Sequence, residues 1–271
     1  DSDYYGFFPI DTDHYDIKEL VAQAQQPDLI YLADTYGVYK DDYLSVNKEG
    51  SRSELLYGGL NDKELALIKK NLSGGNTIIG EFNTASAPTN IANREQLSEI
   101  FRLNWLGWSG RYFKDLTKGV EIPSWTVSDY EAQSGEKWNF EGEGFVLVSD
   151  NDKVVVLRKG IEIGSKDLTF SFEKSYFDEF GIDKTVPYDY WFEFTQTNPS
   201  ADILANYQID LTEKGQAVFD NLGLPKTFPA IIRSKNTQYT SYYFAGDFAD
   251  STNSGKWSDF YGYSKLKSIF T

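Results

Sequence analysis

A chain of 271 residues with 40% hydrophobic content is long enough to bury one large core and has the composition of a folded protein. Its 41 acidic against 26 basic residues give a formal charge of −15, which repels nucleic acid and anionic membrane surfaces. Cysteine is absent, which excludes disulfides, a thiolate nucleophile and cysteine-ligated metal.

Residues 1–13 form an acidic, aromatic lead-in with a candidate edge strand at 5–10. Ile17, Leu20, Val21 and Ala24 recur at helical spacing, which predicts a helix over 15–25 that Pro27 closes. A buried strand over 28–33 then ends beside Asp34, and 36–52 is polar loop. Asn61 is a helix cap, followed by Leu65, Leu67, Ile68 and Leu72 down to the Gly74-Gly75 turn. The β-branched run 77–82 is a second buried strand. After it come Asn83, a loop broken by Pro88, and a helix over 91–103 with Leu97, Ile100, Phe101 and Leu103 on one face.

Residues 104–138, rich in Trp, Gly and Pro, read as a long ordered loop. Strands at 144–149 and 153–157 form a hairpin across Asp150-Asn151-Asp152, and 167–182 mixes a strand with a short helix. Tyr188, Tyr190, Phe192 and Phe194 alternate along a half-buried strand over 188–195. Another strand covers 203–211, and Thr212 caps a helix that Gly223 ends. Strands at 228–234 and 239–246 make a second hairpin, and 257–270 reads as a packing helix.

Non-alternating apolar runs are expected of strands buried on both faces. The predicted fold is therefore α/β: a mostly parallel central sheet containing 28–33, 77–82 and 242–246, helices on both faces, and added antiparallel hairpins. One domain spans 1–271, with 139–185 a candidate insertion. Such sheets hold ligands beyond the carboxyl ends of their strands. Asp34, Glu81, Asp247 and Asp250 all follow apolar runs, so several of them should meet at that edge. Two carboxylates there, one protonated and one ionised, could cleave a glycosidic bond; the bland alternative is that they cap helices or bind loop amides. Asp34, Glu81 and Asp247 are the candidate catalytic acids.

Asn83, Trp105, Trp108, Arg111 and Tyr112 are candidate ligand-binding residues, the aromatics as a stacking platform and Arg111 as a guanidinium fork. The alternative is a loop pinned to the sheet by its aromatics. Asp11, Asp13 and His14 offer donors to a cation, but too few for a hard-cation site, so no metal is expected. Gly58-Gly59 and Gly74-Gly75 lack the Gly-Lys-Ser/Thr ending of a phosphate loop, and no cofactor is expected.

Three segments carry a family resemblance. DLIYLADTYG (28–37) looks like a strand ending at a first pocket loop. LNDKELALIKKNLSGGNTIIGEFN (60–83) looks like the helix, Gly-Gly turn and strand that lead to a nucleophile elbow. Residues 203–248 are similar to the closing section of related domains in β-galactosidases and trehalose-utilisation-like proteins. By these the chain resembles the class I glutamine amidotransferase-like superfamily, a flavodoxin-type α/β fold. The resemblance implies a branch without amidotransferase chemistry. Where the family carries its cysteine the chain has Gly80-Glu81-Phe82-Asn83, and its single histidine, His14, lies upstream. Thiol acyl transfer needs a thiolate beside a base.

No run of about 18 apolar residues is present to span a bilayer, and the sequence opens at Asp1 rather than Met. The expectation is an extracytoplasmic piece of a cell-envelope protein. Its expected role is non-catalytic, binding a polysaccharide or a protein partner. The alternative is a carboxylate-dependent glycoside hydrolase.

Overall fold

The computed structural model describes residues 5–11, 14–21, 26–33, 35, 37–44, 53–119, 121–166 and 168–248. Asp13, Asp34, Asp250 and the stretch 257–270, all singled out in the sequence, lie outside the described residues.

The first elements are an antiparallel pair, β1 (Gly6–Pro9) and β2 (Tyr15–Lys18), with Phe7 opposite Ile17. A strand thus stands where the helix over 15–25 was expected to start. All four β2 residues are exposed, so the helical spacing has no core to face, and helices draw most of their stability from such burial. Next come β3 (Leu29–Leu32), β4 (Val38–Tyr39), α1 (Lys40–Tyr43) and β5 (Leu55–Tyr57), with β4 and β5 paired. Asn61 starts α2 (Asp62–Asn71): its side chain accepts the Lys63 and Glu64 N–H groups while Glu64 accepts the Asn61 N–H, a capping box. Then follow β6 (Asn76–Gly80) and α3 (Ile91–Phe101), the latter capped by Asn90.

The region 104–138 is not loop but holds most of β7 (Leu103–Phe113) and all of α4 (Ser124–Ser134). Gly107, at φ +77°, interrupts β7 and breaks the alternation that would have marked it as a strand. The remaining described residues form β8 (Gly144–Ser149), β9 (Val154–Arg158), β10 (Thr169–Phe172), α5 (Phe177–Phe180), β11 (Thr185–Pro187) and β12 (Phe192–Thr197). It closes with β13 (Asp202–Gln208), α6 (Glu213–Leu222) between its Thr212 and Gly223 caps, β14 (Thr227–Lys235) and β15 (Tyr239–Phe244).

Two sheets form the body. One has seven strands in the order β11-β10-β13-β14-β15-β6-β3, and the other has four, β12-β7-β8-β9. Only β15, β6 and β3 run parallel; every other pairing in both sheets is antiparallel. The expected mostly parallel sheet with helices on both faces is therefore wrong. The physical reason is that a strand is also buried on both faces when a second sheet covers it. Phe145, Leu147, Phe192 and Phe194 of the small sheet share one core with Ile78, Tyr207, Phe228 and Tyr243 of the large one. The opposite face of the small sheet, Phe113, Val146, Val148 and Val154, packs with Val127 of α4 and Trp138. Strand β12 ties the sheets together: Phe192 bridges Gly246, and Glu193 N–H donates to Ala245 O at 3.0 Å.

Gly215 of α6 offers a test of how tightly that helix is seated. A Cβ there would overlap the Glu162 carbonyl oxygen, which accepts the Thr212 N–H at 3.1 Å. Gly→Ala normally adds about 1 kcal/mol to a helix, whereas overlap with a backbone atom costs about 1–3 kcal/mol. Gly215→Ala is expected to lower the denaturant midpoint with the slope unchanged; a raised midpoint would show that α6 lifts freely.

Candidate functional site

Because β15, β6 and β3 are adjacent and parallel, their carboxyl ends share one edge. Glu81 follows β6 directly and Asp247 lies just past β15, each buried to about 5–6% residual exposure. Tyr31 of β3 donates its hydroxyl to Glu81 Oε1. That hydroxyl is pushed up to about 12 by burial, with the Glu81 hydrogen bond and the charges of Glu81 and Asp247 adding to the effect. It stays a neutral donor at ordinary pH. Asp247 is fixed through its backbone, donating N–H to Trp191 O at 3.0 Å.

A third acid, Glu193 of β12, was not picked out in the sequence. It is fully buried. Its Oε1 accepts the Asn83 N–H at 3.0 Å and the Ser86 hydroxyl at 2.5 Å, and its Oε2 accepts the Tyr243 hydroxyl at 2.6 Å. Asn83 sits at φ +64°, a left-handed conformation that asparagine tolerates, in the turn joining β6 to α3. The Thr35 hydroxyl donates to Asn83 O at 2.9 Å, so the loop after β3 is fastened to the loop after β6. Burial, and then the Glu193 charge, raises the Tyr243 hydroxyl. Burial also raises Tyr188, with Asp247 next, and Tyr207, with Tyr188 next. A Cβ on Gly246 would overlap the hydroxyls of both Tyr188 and Tyr207, so any larger residue there would displace both.

The aromatic and arginine candidates do not gather into one platform. Successive strand residues point to opposite faces, and β7 separates them accordingly. Tyr112 packs edge-on against Phe145 at 5.1 Å and gives its hydroxyl to Glu143, whose carboxylate lies 2.6 Å from Lys159. Arg111 lies over the rings of Phe113 and Tyr190 at 4.7 and 4.9 Å, with Glu121 at 3.8 Å. Trp108 packs on the main core, and its carbonyl accepts the Trp105 indole N–H at 2.9 Å.

Trp105 instead lines an open groove of about 840 Å³ between α3, the start of β7, the end of β12 and the β8–β9 turn. There Arg94 lies 5.3 Å over the Trp105 ring and pairs with Asp150 at 3.0 Å. Neither Glu81 nor Asp247 reaches this groove, so the acid edge and the groove are separate places.

At the other end of the chain, the Asp11 carboxylate is taken by the His14 N–H at 2.9 Å and ring nitrogen at 2.8 Å. Among the described residues no cluster of three acids or histidines is arranged to hold a metal, and no helix is long and apolar enough to cross a membrane. No protein-family model matches the sequence, and no curated protein matches it.

Proposed function

We propose that the chain is a non-catalytic binding domain of amidotransferase-like type, carried by an extracytoplasmic cell-envelope protein and engaging a glycan or a protein partner. The observation that supports this reading most is the use made of Asn83. It occupies the left-handed turn between β6 and α3, where the resemblance would have the nucleophile elbow, and it has no nucleophilic group. Its N–H, of the kind that would stabilise a developing oxyanion, is given to the Glu193 carboxylate. A negative charge at that position opposes an oxyanion rather than stabilising it.

A carboxylate-dependent glycoside hydrolase is the second reading. One observation favours it: Tyr31 is acted on by both Glu81 and Asp247, so two buried carboxylates lie near one phenol. The purified protein is expected to release neither ammonia from glutamine nor reducing sugar from neutral polysaccharides above a blank. Ammonia release abolished by Glu81→Ala, or sugar release abolished by Glu81→Gln and by Asp247→Asn, would replace the binding reading with a catalytic one. Fractionation of the full-length protein with the cytosol would remove the cell envelope from the proposal.

A further inference from the structure

The groove beside Trp105 has the chemistry of a site for a neutral polyhydroxyl chain. Asn104 of β7 and Gln196 of β12 are a directly opposed cross-strand pair at its floor. Side chains so placed have their Cβ atoms about 4.5–5.5 Å apart on one face of the sheet. Both are exposed, and among the described residues neither amide has a hydrogen-bond partner. Each offers a donor and an acceptor, the combination that adjacent hydroxyls of a sugar ring require. The neighbouring pair in the register, Thr195 and Trp105, faces the other side of the sheet, with Thr195 buried and the Arg94 guanidinium lying over the Trp105 ring, so the two amides are the groups that this face presents.

Charge decides which glycans fit. The cations near the groove are already paired, Arg94 with Asp150 at 3.0 Å and Arg102 with Glu99 at 3.0 Å. Glu95 lines the groove, is exposed and has no counter-ion among the described residues. An anionic ligand would meet that carboxylate without a free guanidinium to offset it. The volume lies within the roughly 300–1,000 Å³ of small-molecule clefts, and the open side suits a chain that passes along the groove.

We infer that this groove, and not the acid edge, is the ligand site, and that it takes a neutral oligosaccharide, with Asn104 and Gln196 bonding its hydroxyls. The inference rests on the binding reading above. The test is a printed array of neutral and uronic-acid oligosaccharides, followed by calorimetry with the neutral hexasaccharide that gives the strongest signal. Binding of a neutral glycan and of no uronate is expected. The double variant Asn104→Ala/Gln196→Ala should weaken it at least tenfold with an unchanged melting midpoint. Neutral-glycan binding that the double variant leaves intact would overturn the groove while leaving the binding reading standing, as would preference for uronates. An array on which no neutral glycan is retained would overturn the groove's ligand, and cleavage of the bound glycan would overturn the non-catalytic reading itself.

Discussion

Replacing Glu193 with alanine is expected to destabilise the fold by about 3–9 kcal/mol, as three buried donors lose their acceptor at about 1–3 kcal/mol each. Those donors are the Asn83 N–H, the Ser86 hydroxyl and the Tyr243 hydroxyl, and they come from both the β6–α3 turn and the large sheet. A domain's whole stability is about 5–15 kcal/mol, so the variant should sit near its unfolding threshold. Glu193→Gln is the informative companion. Its amide keeps one acceptor for Asn83 and Ser86, and the Tyr243 hydroxyl can turn to accept from the new NH₂, so the loss should fall to about 1–2 kcal/mol. Urea midpoints for both variants check this. If alanine costs no more than glutamine, the carboxylate does not hold the turn to the sheets.

Unfolding at alkaline pH is expected to be steep. Tyr188, Tyr207 and Tyr243 are buried and all three hydroxyls are raised, so the native state keeps these protons after the unfolded chain has released them. A group with a raised folded pKa contributes stability that is fully present below its unfolded value, about 10 for tyrosine. That contribution is lost as pH climbs beyond it, because the unfolded state then binds fewer protons. Each such tyrosine removes about 1.4 kcal/mol per pH unit, and three together about 4 kcal/mol per unit. Tyr31, raised to about 12, acts in the same direction. Far-UV circular dichroism in urea should show midpoints flat up to about pH 10 and falling sharply above it. Tyr207→Phe should shallow that fall by one proton's worth, about 1.4 kcal/mol per pH unit. Equal midpoints at pH 8 and pH 12 would contradict the proton count.

Much of the local structure was readable because short-range chemistry sets it. The Asn61 capping box and the Thr212 and Gly223 caps mark α2 and α6 from side chains within a few positions. Strands β3, β6 and β15 were recognisable as apolar runs, but what covers β6 and β15 was not, and β3, expected to be buried, is an edge strand with Leu29 and Tyr31 exposed. A run buried against a second sheet looks the same in sequence as one buried against helices, which is why the parallel α/β architecture failed. Strand β7 was hidden by its two glycines, Gly107 and Gly110, which interrupt the strand pattern. Glu193 was hidden for a related reason: alternation along 188–195 assigns it to the face away from Phe192 and Phe194, and the groups that meet it there, Asn83, Ser86 and Tyr243, come from distant parts of the chain. At the site, Glu81 and Asp247 were legible as acids ending strands. The separation of Arg111 from Tyr112 needed the knowledge that β7 is a strand.

The pairing at the middle of the large sheet also governs how the chain is made. Strand β6 is bonded to β15, with Asn76 facing Tyr239, so partners separated by most of the described sequence must meet before the sheet is whole. Without β15 the sheet divides into the β3–β6 pair and the block β11-β10-β13-β14. A growing chain that has released β3 and β6 therefore carries an unpaired strand edge until residue 244 has emerged. Such long-range pairings form slowly and leave the waiting edge open to other chains. A polypeptide cut short before residue 239 loses a central strand rather than a margin. Its remaining pieces have no shared sheet to fold on, so intermediates stalled during synthesis are the form of this protein most in need of a chaperone.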